Sequence, residues 1–449
     1  MSFAEWRGVA AVLAVLFAGL PLIRSFTRRC GATPEVARKM VHVAMGLTCV
    51  TFPWLFTRPF PVWILAGMAT IPLAVVRSLP VLRHGVGSAL HGINRPSYGE
   101  IFFAPAVAAV FHLAHGNTLL YLIPILILTI SDAAGALVGT RWGKLRYGSG
   151  EGFKTVEGST IFLLTAFLCG TVPLLLDGKT DLPHALGIGL ILGLLAMMAE
   201  GISDRGFDNL LLPLVCFLIL EKLMPLGLPA LAGRAVVLGL LLVLVFQGSR
   251  WSTLSGGALL GAALLGYACA VIADWRFALP PSAVFLCHVA TTRKHRLIGK
   301  LNHRLDVVLS HVIACLPWVV LPEFGVISTT AALAGISFAM AAQLANLETA
   351  IRSAIPDCPA SPARSTVKGF VIAGLPGLVW LWPSFRAIAP AIALALPAIW
   401  LAALLFGFIR LKYHGHPTGL WVIKGLLALA ASAPALMISH ELASNLARP

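Results

Sequence analysis

A chain of 449 residues that is 58% hydrophobic and only 11% charged lies far outside the soluble range and reads as a polytopic membrane protein. Its formal net charge of +15 would suggest nucleic acid in a soluble protein, but here the positive-inside rule accounts for it, and no nucleic-acid partner is required. The eight cysteines are scattered without a CxxC pair, mostly within apolar segments, which speaks against a disulfide framework or a zinc site.

About sixteen apolar stretches are long enough, or nearly so, to cross a bilayer at 1.5 Å per residue. They lie near 7–23, 40–56, 60–78, 100–115, 118–140, 160–176, 185–201, 209–225, 233–248, 255–274, 279–292, 305–321, 325–346, 369–384, 387–409 and 419–439. The expected fold is therefore all-α, with about 14–16 transmembrane helices and no soluble domain. The first stretch lacks a basic leader and a small-x-small cleavage site, so it reads as a retained helix. Threading the stretches with the N-terminus outside gathers most Lys and Arg on one side. Three dense clusters define that side as cytoplasmic: Arg24 to Lys39, Arg141 to Lys154 and Arg293 to Arg304.

Polar residues in the first half collect at the same ends of these stretches. RKMVHVAMG sets Arg38, Lys39 and His42 within about a turn of one helix, where a basic stop at the headgroup boundary is the plain alternative. RPSYGE carries Arg95 and Glu100 at a helix entrance. Asp132 stands inside the apolar segment of LTISDAAGALVGTRWGK. A carboxylate at that depth is costly unless paired, hydrated or on a metal.

The glycine-rich basic loop that follows suits close backbone approach to a polyphosphate, with Arg141 and Lys144 to neutralise charge. KTVEGS then supplies Lys154, Thr155, Glu157 and Ser159 at a helix start. The set can serve as a phosphate and metal clamp or as a capping box. AEGISDRGFDNLLLP adds Glu200, Asp208 and Asn209 around a short turn.

In this order, these five blocks over residues 35–225 resemble the polyprenol kinase family, which includes dolichol and phytol kinases and is distantly related to the CDP-diacylglycerol synthases. The resemblance implies a helical membrane enzyme that phosphorylates a long-chain isoprenoid alcohol such as phytol, geranylgeraniol or a polyprenol, typically with CTP and a divalent metal. By motif, Asp132, Lys154, Thr155, Glu157 and Ser159 belong to the catalytic and nucleotide site. Arg38, His42, Arg95, Glu100, Glu200, Asp208 and Asn209 are supporting or substrate-binding positions.

Phosphoryl transfer needs charge neutralisation, alignment and a carboxylate near the hydroxyl. Lys154, helped by Arg141 and Lys144, suits the first task. Glu157 with Asp132 or Asp208 suits Mg2+, and the carboxylate left free suits the alcohol proton. The partners expected are the alcohol, the nucleotide and membrane lipids. The expected location is a bacterial inner membrane, with the site on its cytoplasmic face. The alternatives are a cytidylyltransferase making a CDP-lipid, and a transport or lipid-binding protein whose acids merely pair with Arg. The Gly248-Ser249 break suggests a kinase-like domain at 1–248 and a second helical membrane domain at 249–449, with no role assigned to the latter.

Overall fold

The computed structural model describes residues 1–78, 99–149, 152–203, 206–294, 303–352, 361–415 and 417–438. The chain divides into two compact units, Met1–Ala235 and Val236–Pro449. The division falls inside the helix Leu228–Ser249, ahead of the Gly248-Ser249 break, because Leu241 and Val245 on that helix line a cavity of the second unit. Among the described residues, nine helical stretches are long and apolar enough to cross a membrane, and three apolar helices are shorter. The protein is a polytopic membrane protein of the all-α class, with a short β-hairpin. Fewer stretches qualify than the apolar runs suggest: besides the three shorter helices, the 209–225 and 279–292 runs form charged-ended helices of only 16 residues each, Asp208–Leu223 and Leu279–Lys294. The expected 40–56 run breaks at Val50, and the runs at 369–384 and 387–409 merge into the single stretch Pro362–Lys412.

In the first unit, α1 (Phe3–Arg29) begins with a capping box, Glu5 accepting from the Ser2 amide at 2.7 Å and Ser2 from the Glu5 amide at 3.2 Å. Next, α2 (Pro34–Val50) starts with a Thr33 cap and a proline in its first turn, where the missing N–H costs nothing. The short α3 (Phe52–Leu55) leads to α4 (Pro59–Ser78), and α5 (Gly99–Leu113) follows. The span Thr118–Trp142 is not a uniform helix. It runs as α6 (Thr118–Leu126), a π-helical turn (Ile127–Ser131) and α7 (Asp132–Trp142). Pro124 has no N–H to give the ladder, and the widened turn three residues later ends at Asp132.

Beyond α7 the glycine-rich segment forms the antiparallel hairpin of β1 (Arg146–Ser149) and β2 (Gly152–Thr155), with Tyr147 opposite Lys154. The helices α8 (Val156–Leu176), α9 (Leu182–Ile202), α10 (Asp208–Leu223) and α11 (Leu228–Ser249) follow.

Two close approaches fix the frame of this unit. A Cβ on Gly46 would lie 2.1 Å from the Thr129 hydroxyl, so only glycine lets α2 lie against the π turn. A Cβ on Gly158 would lie 2.8 Å from the Gly135 carbonyl, so α7 and α8 cross at backbone contact.

In the second unit, α12 (Gly256–Ala268), α13 (Leu279–Lys294), α14 (Asp306–Val320), α15 (Thr329–Arg352), α16 (Pro362–Gly369), α17 (Leu375–Leu378), α18 (Phe385–Lys412) and α19 (Pro417–Ala431) build a separate core. The central element is α15, whose Ala331, Ala334, Ala341 and Ala345 are fully buried and whose small side chains permit tight helix packing.

Candidate active site

The site is built where α2, the π turn, the hairpin and the ends of α9 and α10 meet in the first unit. The π turn delivers Asp132 to the interior, where it is 4% exposed. From α2, which Gly46 holds close, Lys39 Nζ donates to both Asp132 carboxylate oxygens at 2.8 and 2.7 Å. One helical turn on, His42 Nε2 lies 3.3 Å from Asp132 Oδ2 and 3.0 Å from the Leu128 carbonyl, with its ring edge-on to Phe103. The cost of burying Asp132 is thus met by an ammonium and an imidazole from one helix face.

The hairpin brings in Lys154. Its Nζ lies 2.5 Å from Glu200 Oε1 and also donates to the Glu200 backbone carbonyl, which closes the C-terminal end of α9. Burial alone would weaken the Lys154 ammonium, but the Glu200 and Asp208 carboxylates outweigh it and raise its pKa above the ordinary value. Tyr147, across the hairpin, shares a 2.7 Å hydrogen bond with Ser159, and burial raises its phenol pKa.

Carboxylate oxygens of Asp132, Glu200 and Asp208 lie within 4.8 Å of one another. Among the described residues the second Glu200 oxygen, Oε2, is buried with no hydrogen-bond partner. Three hard oxygen donors, one of them orphaned, fit a divalent cation of the Mg2+ type, which prefers carboxylate ligands shared with water and phosphate.

The other expected residues divide into three groups. Glu157 is not beside this cluster. Its carboxylate accepts the backbone N–H groups of Lys144 at 3.0 Å and Leu145 at 3.2 Å, because the chain leaving α7 turns its free amides toward the start of α8. Thr155 caps α8 by accepting from the Gly158 amide at 3.2 Å, without the reciprocal glutamate of a capping box, since Gly158 occupies that third position. Arg141 and Lys144 have exposed side chains near the hairpin, with Arg141 over the Trp142 ring at 5.0 Å.

Arg38 pairs with Glu35 at 2.7 Å on the outer side of α2. Glu100 is exposed in the first turn of α5. Asn209 is buried and donates to the Gly99 carbonyl at 2.9 Å, tying α10 to α5 beside Asp208. Arg95 lies outside the described residues. Two residues absent from the expected site are Lys39 and Tyr147. Lys39 had a visible signal, a lysine one turn before a histidine on a helix that otherwise turns apolar. Tyr147 had none, because its position depends on the hairpin register.

No family model matches the chain, and no solved structure matches it. Among curated proteins, a phytol kinase from Synechocystis sp. is 30% identical over 225 residues, a match spanning 47% of this chain and 90% of that relative. A relative 30% identical and matched over 90% of its own length places this chain in the phytol kinase family.

Proposed function

We propose that the first unit transfers the γ-phosphoryl group of CTP to the hydroxyl of a long-chain isoprenoid alcohol at the cytoplasmic face of the membrane. The observation that carries this reading is the meeting of Asp132, from inside the Thr118–Trp142 span, with Glu200 and Asp208, from the end of α9 and the start of α10, beside Lys154. The named activity of the Synechocystis relative supports it, and the resemblance of the five sequence blocks supplies CTP and the isoprenoid class.

In this reading Glu200 and Asp208 would hold Mg2+, which when bound neutralises charge on the phosphates. Lys154, anchored by the hairpin, steadies the γ-phosphate and its developing charge. Asp132, its carboxylate oriented by Lys39, receives the alcohol proton as the alcohol oxygen bonds to the γ-phosphorus. The bond from that phosphorus to the β-phosphate oxygen breaks, and CDP leaves with the electron pair. Arg141 and Lys144, exposed beside the hairpin, draw the nucleotide in from the aqueous side.

The test is direct. Purified protein is incubated with phytol, geranylgeraniol or undecaprenol, Mg2+ and each nucleoside triphosphate labelled in turn. A lipid monophosphate with CDP is the expected product. A CDP-lipid with pyrophosphate identifies cytidylyl transfer instead, and the absence of any lipid product with every pair rules out both chemistries.

A further inference from the structure

The second unit contains a partly open apolar cavity whose enclosed space is about 90 Å³. Its walls come from α11 to α15 and α19, including Leu241, Val245, Ala263, Val284, Phe285 and Val308. Lys424, which is 2% exposed, and three imidazoles, His288, His303 and His311, line the same space.

No carboxylate among the described residues pairs with Lys424. Its Nζ lies 5.2 Å from the centroid of the Trp421 ring, and that ring stands edge-on to His303. The imidazoles are held in place. Thr253 Oγ1 bonds His288 Nε2 at 3.2 Å and His303 Nδ1 at 2.8 Å, while His311 Nδ1 lies 3.0 Å from the Val307 carbonyl. Each ring is therefore fixed through one nitrogen, and its other nitrogen is not used in these bonds.

A buried ammonium without a counter-charge costs several kcal/mol, and in a membrane segment such a group marks a functional site by default. Apolar walls around four nitrogen-bearing side chains suit a ligand with an apolar chain and an anionic head. The Lys424 ammonium offers three N–H donors, and because the Thr253 hydroxyl donates to only one of His288 and His303, that ring keeps its own N–H for a ligand. A phosphate monoester, with three terminal oxygens and a higher charge, uses such a set better than a carboxylate, which has two. We infer that the second unit binds a single-chain lipid phosphate, its head between Lys424 and the three histidines and its chain along the apolar walls. The inference rests on this cavity alone and stands whether or not the first unit is a kinase.

The experiment uses the full-length protein in detergent with tritiated dodecyl phosphate as the probe, measured by equilibrium binding. A saturable site that persists in Lys154→Ala is expected. Lys424→Met should weaken binding by more than tenfold, and Lys424→Arg by less than about threefold. Lys154→Ala, in the first unit, should leave the site intact. Unchanged binding in Lys424→Met, or loss of the site in Lys154→Ala, overturns the assignment. Competition on the wild-type protein decides the chemistry without any variant. Dodecanol competing as well as unlabelled dodecyl phosphate removes the anionic head from the proposal, laurate competing equally removes the phosphate, and inorganic phosphate competing equally removes the chain.

Discussion

Lys39 Nζ bonds both carboxylate oxygens of Asp132, at 2.8 and 2.7 Å, joining residues 93 positions apart in the chain within the buried part of the first unit. Removing either partner leaves the other charged and buried, which costs about 3–5 kcal/mol, whereas removing both leaves no uncompensated charge. Lys39→Met and Asp132→Asn should each lower the thermal midpoint and abolish lipid phosphorylation. The double variant should recover most of the midpoint and none of the activity. Recovery of activity together with stability would show that the pair is structural only.

Glu200 and Glu157 make opposite predictions. Glu200 has an orphaned buried oxygen in the three-carboxylate cluster, while Glu157 is occupied by two backbone amides at the mouth of the hairpin. Glu200→Gln should lower turnover by about a hundredfold or more and raise the Mg2+ concentration needed for half-maximal rate. Glu157→Gln should keep the same Mg2+ dependence, with turnover reduced by less than about tenfold. An equal shift of the Mg2+ dependence in both variants would put Glu157 on the metal.

The backbone contact between α7 and α8 sets the distance from Asp132 to the hairpin that carries Lys154. Gly158→Ala places a methyl group 2.8 Å from the Gly135 carbonyl, and backbone cannot move aside as a side-chain tip does. A loss of about 1–3 kcal/mol of stability is expected, with a fall in kcat greater than the rise in KM because the helices must separate. Thermal unfolding and steady-state kinetics on the same preparation check both parts.

The raised pKa of Lys154 fixes the sign of one pH effect. Its pairing stabilises the fold fully below its ordinary value of 10.5 and is lost only as pH climbs through the higher folded value. Thermal midpoints of wild type and Lys154→Met should therefore converge only above pH 10.5. A gap that closes between pH 7 and 9 would contradict the stabilisation by Glu200 and Asp208.

The hairpin and the Asp177–Gly178 turn flank opposite ends of α8, a helix of 21 residues and about 30 Å. With native cysteines replaced, a cysteine at position 149 should react from the cytoplasmic side. A cysteine at Lys179, exposed next to Gly178, should react from the outside. Position 179 is the better probe, because Gly178 has φ of +70°, where a side chain is strained. Labelling of both from one side would break the threading.

Much of this architecture is determined by composition and pattern alone. An apolar run in water has only the bilayer or a core to enter, so the helical membrane class follows from the sequence, as does the placing of Lys154, Glu200 and Asp208 near helix ends, whereas Asp132 sits inside its span. The family was likewise legible in the order of the five blocks. The ligand environment was not. Whether an acid meets a lysine, a metal or a backbone amide depends on a few ångströms of helix separation, which are set by Gly46 against Thr129 and Gly158 against Gly135.

The tertiary structure alone assigns Lys39 to Asp132, engages Glu157 with backbone amides and leaves Glu200 with an orphaned oxygen. It alone, too, places Lys424 and three histidines around one cavity, since residues from 288 to 424 share no local pattern. Burial is dictated locally by hydrophobicity, whereas the pairing of buried charges is decided by which distant helices pack at backbone distance.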